Sequence, residues 1–332
     1  MILDEIDLKL LAELEINSRQ SYSALASKLN ISRQLTRYRI KNLLSKNIIK
    51  NFYTIINFTM LGYTHYRTMI RLSNTSSKIQ ENIIFCLINH PNVEWLVECG
   101  GRWDLIVNFM ARNIIQYFQF MRHLQDSFPQ QIKNYDILTT VEILDLGRDY
   151  LSKTSRRKKD LNWFGREYRL AKCDETDLQI LNVISENARL KYKEIAQKVG
   201  IHTNTLIKKI KRMEKINLIL GYKPLIDLRK TPFSAYKALI KFQNITERKK
   251  DEITNFLRTN ENIVAIIKLI GQWDMEVEFE VESNEKKVEI IRKIRDKYQE
   301  VINMFEVIPL FKEYRYNFFP KDLLSEEDFA RN

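Results

Sequence analysis

"ECGGRWDLIV", residues 98–107, returns in altered form as "LIGQWDMEVE", residues 269–278. In each, a glycine and one variable residue precede Trp-Asp, and alternating apolar residues follow. Glycine frees the backbone for a tight turn, and the alternation is that of a half-buried strand. Each phrase therefore predicts a hairpin whose second strand opens on Trp103 or Trp273. The two aspartates, Asp104 and Asp274, stand 170 positions apart. The same offset pairs "LDEIDLKLLAEL" from Leu3 with "CDETDLQILNVI" from Cys173. It also pairs Arg19 with Arg189, Ala26 with Ala196, Ile40 with Ile210 and Tyr66 with Tyr236. A period this long, seen twice, is a duplicated set of domains and not a solenoid.

The 332 residues suffice for several domains, and 44% hydrophobic with 29% charged residues is a globular composition. A net charge of +12 favours a polyanionic partner, nucleic acid before an anionic membrane. Acids among the apolar residues of "MILDEIDLKLLAELEINSRQ" argue against a secretory signal or transit peptide. No stretch approaches 18 uninterrupted apolar residues, so no membrane partner is expected. Cys86, Cys99 and Cys173 are too few and too scattered for a disulfide framework or a zinc site. A reduced, cytoplasmic protein is expected.

Each unit opens with helical signals. Leu10, Leu11 and Leu14 recur at helical spacing, as do Ile180, Leu181 and Ile184, behind the caps Asp4 and Asp174. A short second helix ends at Asn30 or Gly200, residue types that accept the left-handed backbone of a tight turn. The third helix turns Thr36, Ile40 and Leu43 inward in one copy and Leu206, Ile210 and Met213 in the other. Arg33, Gln34 and Arg37 point away from that stripe, as do Thr203, Asn204 and Lys208, with Ser32 and Thr205 beside them. This is the helix-turn-helix pattern. Arginine suits guanine O6/N7, and the amides Gln34 and Asn204 suit adenine N6/N7. Arg39, Lys41, Lys208, Lys209, Lys211 and Arg212 are expected to meet phosphates. A solvated basic face used for protein contact is the plainer reading.

After each third helix comes an extended segment, "IIKNFYTIINF" or "LILGYKPLIDL", read as a wing or a crossing strand, the second less regular for its Pro224. From Tyr63, and again from Ala235, the pattern gives βαββαβ, the ferredoxin-like order. One face of such a sheet carries its helices, and the other needs a second sheet. The hairpin Asp and Gly residues fit either a small amine-bearing effector or a plain tight turn.

The fold class expected is α+β, with two copies of a winged helix-turn-helix domain followed by a βαββαβ domain. The boundaries are 1–60, 61–147, a basic linker 148–172, then 173–230, 231–318 and a tail 319–332. Lys153–Lys159 forms the linker's polar centre, and Trp163 and Phe164 are expected to dock on a neighbouring surface.

The ordered set "LDEIDLKLL", "SALASKLNIS…RYRIKNLL" and "GGRWD", repeated as "CDETDLQIL", "KEIAQKVGIH…IKKIKRME" and "IGQWD", resembles the Lrp/AsnC family of prokaryotic transcription regulators. The resemblance spans nearly the whole chain, twice over. It implies a non-enzymatic, double-stranded-DNA-binding regulator that pairs by sheet-to-sheet packing and often builds larger homo-oligomers. It implies no cofactor, but an amino acid or similar small effector near Gly101, Trp103, Asp104, Gly271, Trp273 and Asp274. Tyrosine is usual in the family where Trp103 and Trp273 stand, and serine where His202 stands; Ser32 fits. Ordinary members are single units, so the two repeats are expected to fold on each other as an intra-chain pseudo-dimer. Two alternatives come from other classes. Some proteins of this fold decarboxylate siroheme-type tetrapyrroles, but none of His65, His90, His123 and His202 repeats at the offset, and no metal or nucleophile constellation is visible. An architectural DNA-compacting protein would bind with little sequence preference.

Overall fold

The computed structural model describes residues 3–73, 76–152, 162–165 and 169–324. The linker centre at Lys153–Lys159, the Trp163 side chain and the last eight residues of the tail lie outside the described part. The first unit runs α1 (Glu5–Ile16), α2 (Tyr22–Leu29), α3 (Arg33–Ser45), β1 (Ile49–Ile56), β2 (Thr64–Leu72), α4 (Ser77–Asn89), β3 (Val93–Cys99), β4 (Leu105–Ala111), α5 (Ile114–Ser127) and β5 (Ile132–Asp145). A short β6 (Asn162–Phe164) follows. The second unit repeats the order: α6 (Glu175–Glu186), α7 (Tyr192–Val199), α8 (Thr203–Lys215), β7 (Ile219–Ile226), β8 (Ser234–Phe242), α9 (Glu247–Leu257), β9 (Ile263–Ile270), β10 (Met275–Val281), α10 (Asn284–Tyr298) and β11 (Ile302–Tyr316).

Local chemistry sets the helix ends. Asp4 accepts from Asp7 N at 2.8 Å and Ser32 from Leu35 N at 3.0 Å, each satisfying an orphan first-turn amide. Asp174 and Asp177 exchange such bonds in both directions, a capping box. α2 and α7 stop at Asn30 (φ 53°) and Gly200 (φ 74°), the left-handed residues that turn the chain into α3 and α8. Behind the turn, Ile40 and Leu43 pack with Leu10, Leu11, Leu14 and Leu25, as Ile210 and Met213 do with Ile180, Leu181, Ile184 and Ile195. One continuous core thus joins both helix-turn-helix units.

The segments after α3 and α8 are crossing strands. β1 and β7 pair antiparallel with each other, Phe52 opposite Pro224 and Tyr53 opposite Lys223, so Pro224 costs no central ladder bond. Contacts around this ribbon come in reciprocal pairs at the 170 offset. Ser18 N donates to Tyr222 O and Ala188 N to Phe52 O, both at 2.8 Å. Arg19 donates to Ala188 O, and Arg189 to Ser18 O. The two halves are therefore related by an internal pseudo-two-fold axis.

Each βαββαβ unit forms a four-stranded antiparallel sheet, β3-β4-β2-β5 and β9-β10-β8-β11. The long last strands then leave home. β5 pairs with β2 through Thr139 and with β9 beyond it; β11 pairs with β8 through Leu310 and with β3 beyond it. The eight strands close into one ring, which removes their edges. The covering sheet expected from sequence is thus the other repeat. α4 and α5 bury Ile83, Leu87, Phe120 and Leu124 on the outside of the first sheet. α9 and α10 bury Ile253, Leu257, Ile290 and Ile294 on the second.

The linker is partly structured. β6 adds to β5 opposite Ile143–Asp145, and Phe164 is buried, stacked on Phe58 at 5.9 Å and Phe318 at 5.6 Å. No helix among the described residues is long and apolar enough to cross a membrane.

Candidate nucleic-acid interface

α3 and α8 present their N-terminal halves outward. Ser32, Arg33, Gln34, Arg37 and Lys41 are exposed, and so are Asn204, Thr205, Lys208 and Lys211, with Thr203 half-buried. Gln34 and Asn204 are the second residues of α3 and α8, equivalent positions in the first turn on opposite sides of the pseudo-axis. Tyr38, 65% exposed between Arg37 and Arg39, joins this surface. It was not legible as a site residue, since its ring is a common core type and its counterpart is Lys208.

Three of the cations expected to meet phosphates pair with acids of the chain itself. Arg39 bonds Asp4 at 2.7 Å and Asp7 at 2.8 Å, which raises its own pKa. In the second unit Lys209 bonds Asp174 and, at 3.1 Å, Asp177, and holds the Asp174 carboxyl below its usual range. Arg212 pairs with Asp177 and donates to Lys172 O at 3.1 Å. The cause is geometric: these positions lie on the flank of α3 or α8 that faces the acidic first turn of α1 or α6. The charge is already matched, so a phosphate gains little there. Among the described residues, Arg33, Arg37, Lys41, Lys208 and Lys211 are the expected cations without an acidic partner.

The hairpins take a different form from an open effector pocket. Trp103 and Trp273, 1% and 3% exposed, lie between the two sheets with Met69, Val97, Leu239 and Ile267. Their indole N–H groups have no partner among the described residues. Asp104 accepts from Leu72 N at 2.7 Å with Arg71 3.6 Å away. Asp274 accepts from Phe242 N at 2.8 Å and Lys241 Nζ at 2.9 Å. Gly101 (φ 86°) needs its left-handed backbone, and a Cβ on Gly271 would stand 2.7 Å from Leu138 Cδ2. Each hairpin leans on the other unit's long strand: Gly100 N donates to Pro309 O at 3.1 Å, and Gly271 abuts β5. As they stand, the six residues close a turn and fasten one half to the other. An ammonium would have to displace Arg71 or Lys241 to reach either carboxylate.

A charged interior went unread in the sequence. Along β2, His65, Arg67 and Met69 share one face, which turns toward the second sheet. Arg67 and Lys237, equivalent across the pseudo-axis, both bond Glu276, a residue with no exposure. Burial pushes the Glu276 carboxyl up, and the two facing cations more than reverse it, leaving it below the usual range. Lys237 also bonds Glu278 at 2.8 Å, Arg67 bonds Asn108 at 2.9 Å, and Asn108 bonds Glu94 at 3.0 Å. Glu276 corresponds to Ile106 in the first unit, so a true two-fold dimer could not build this cluster. His65 bonds Glu94 at 3.0 Å and Thr140 at 3.1 Å. His90, its pKa lowered to about 4 by burial and by Arg315, sits against Phe109 and Phe120.

Comparison with known proteins agrees with this layout. Residues 3–44 match the AsnC-type helix-turn-helix domain, and residues 174–219 a winged helix-turn-helix DNA-binding domain. The chain is similar to an uncharacterized HTH-type transcriptional regulator of Pyrococcus abyssi, 35% identical over 114 residues, 34% of this chain and 75% of that one. A counterpart from Pyrococcus horikoshii is 34% identical over the same length and covers the same shares. Among solved structures, the siroheme decarboxylase NirDL superposes over 98% of this chain and 96% of its own, with a TM-score of 0.61. At 12% identity that likeness shows the fold alone. The chain belongs to the Lrp/AsnC family of HTH-type transcriptional regulators, in a form that carries the family's helix-turn-helix and βαββαβ unit twice.

Proposed function

We propose that this DNA-binding transcriptional regulator reads an asymmetric duplex site with α3 and α8 of one chain, the two helices entering successive major grooves. The observation that carries the reading is the placement of Gln34 and Asn204, exposed at equivalent positions among uncommitted cations. Because the neighbours differ, Arg33 and Arg37 on one side against Thr203 and Lys208 on the other, the two half-sites differ in sequence. The regulator works in the cytoplasm, and no chemistry is assigned to it. Whole chains associate further, an idea supported by the exposed Phe85, Ile114, Ile115 and Phe118 on α4 and α5. Effector control through the hairpins requires a rearrangement around Asp104 or Asp274, whose carboxylates are held by Leu72 N and by Phe242 N and Lys241.

A decarboxylase reading gains no support from the interior. The cavity between the halves measures about 100 Å³, whereas ligand pockets typically run to roughly 300–1,000 Å³. Its wall sets Glu15, Glu94, Asp145, Glu278 and Glu313 against Arg67, Arg148, Lys223 and Lys237. Those cations are already paired with acids of the fold and so are not spare for a polycarboxylate macrocycle, and His65 and His90 are held by protein partners or aromatic packing.

Salt dependence tests the assignment of cations. The logarithm of the binding constant should fall linearly with the logarithm of salt, by roughly 0.9 per phosphate contact. Lys41→Ala or Lys211→Ala should flatten that slope by about one; Lys209→Ala should leave it unchanged. The reverse pattern, measured by fluorescence anisotropy on a fixed duplex, would overturn the assignment.

A further inference from the structure

The cavity lies across the pseudo-axis, for it is lined by both members of several equivalent pairs: Arg67 with Lys237, Tyr53 with Lys223, Asn108 with Glu278, Ile143 with Glu313. Duplication let those pairs diverge, so its wall is chemically lopsided. It also touches both layers of the molecule. Glu15 and Tyr53 come from the helix-turn-helix layer, and Glu94, Glu278 and Glu313 from the strands.

Counting partners shows what the wall lacks. Each cation there is already shared. Arg148 serves Glu280 and Glu15, Lys223 serves Asp145 at 2.7 Å, and Arg67 and Lys237 converge on Glu276. Glu15, 6% exposed, pairs through one oxygen with Arg148 at 2.6 Å; its other, buried oxygen has no hydrogen bond and meets Lys223 only at 3.5 Å. Among the described residues the Glu313 carboxylate receives one donor, Trp95 Nε1 at 2.9 Å, while Lys50 goes to the Glu313 backbone oxygen. Burial and the neighbouring Glu278 push Glu313 up to about 7. Arg148 and Lys50 draw it down, but by less than burial and Glu278 raise it, so positive charge undercompensates this carboxylate. Tyr53, 7% exposed, and Tyr316 close the wall edge to face at 4.8 Å. Their rings offer the negative π surfaces that attract organic cations.

We propose that this chamber is a binding site for a compact organic cation, a protonated amine or a guanidinium, with Glu313 as its principal counter-charge and Tyr53 and Tyr316 as its aromatic wall. Scaling from a cavity of about 150 Å³ that takes one benzene, the chamber holds about four non-hydrogen atoms. Propylammonium, with four, and methylguanidinium, with five, are close to that size. An anion of equal size meets a carboxylate-rich wall whose cations are taken. The site is independent of the DNA-reading proposal, since its readout is the ligand's own heat of binding.

The test is isothermal titration calorimetry of the full chain with propylammonium chloride and methylguanidinium chloride, against sodium propionate and sodium chloride. The expected result is saturable binding of at least one cation at one site per chain, at millimolar concentration or better, with none for propionate. Glu313→Gln keeps the shape and removes the charge, and should weaken the cation at least tenfold. Glu289→Gln, on the exposed face of α10, should not. Saturable propionate binding, no saturable cation binding, or undiminished affinity in E313Q would each overturn the proposal. Thermal melts establish that E313Q is folded; if it is not, Glu278→Gln carries the same comparison.

Discussion

Glu276→Ala should lower the free energy of unfolding by about 3–5 kcal/mol, the range for removing one partner of a buried ionic cluster. The carboxylate has no solvent exposure, and both Arg67 and Lys237 rest on it from opposite sides of the pseudo-axis. Its removal leaves Lys237 with Glu278 and Arg67 with the Asn108 amide, so one guanidinium stays buried without a counter-charge. The cost is that of stranding a charge, not that of losing an attraction. Replacing all three by apolar residues of similar volume should accordingly recover much of the loss. Urea denaturation of E276A and of the triple variant separates the two. If E276A unfolds within about 1 kcal/mol of the native protein, in the range of exposed pairs, the cluster does not hold the halves together as described.

Gln34→Ala should relax base preference at one position of the DNA site by about 1–3 kcal/mol, the worth of a bidentate base contact. Asn204→Ala should do the same in the other half-site, and the two effects should add, because the side chains stand on separate helices and share no partner. Arg39→Ala should behave differently. Its guanidinium ties α3 to the first turn of α1 through Asp4 and Asp7. The change should cost about 1 kcal/mol of stability and leave relative base preferences as they were. Competition binding against single-base variants of the site reads both. Loss of discrimination in R39A equal to that in Q34A would contradict the division between reading and clamping residues.

Much of this architecture was legible because the chain states it twice. Asn30 and Gly200 marked the same turn with two residue types that share one backbone requirement, and the stripes through Ile40 and Ile210 marked the same buried flank. The crossing strands were half-read: apolar content showed that β1 and β7 are strands, but a strand does not name its partner. The interior charges were not legible. Period-two alternation separates two faces, and in β2 both are buried, Tyr66 and Ile70 under helices and Met69 under the second sheet. Alternation alone therefore gave no sign that His65 faces buried Glu94, or that Arg67 faces Glu276 of the other half. Glu276 was hidden for another reason, since it departs from its own repeat, where Ile106 stands. The ion pairs of Arg39 and Lys209 were not legible either, because a cation on a recognition helix gives the same signal whether it faces phosphate or the Asp-x-x-Asp turn below it.

The divergence between repeats also bears on how they pair. Two first units would set two Arg67 residues against Ile106 with no acid between them, and two second units would bring two copies of Glu276 together with two of Lys237. The observed arrangement satisfies both cations with one carboxylate, which favours pairing of unlike halves, as a single chain supplies.

The most direct test of the central claim is selection of bound sites from a random duplex library at two salt concentrations, followed by sequencing. The account predicts one enriched site per chain with two unlike halves about one helical turn apart, retained at the higher salt. Binding that vanishes with salt and enriches no sequence would contradict it and leave a chain that only compacts DNA.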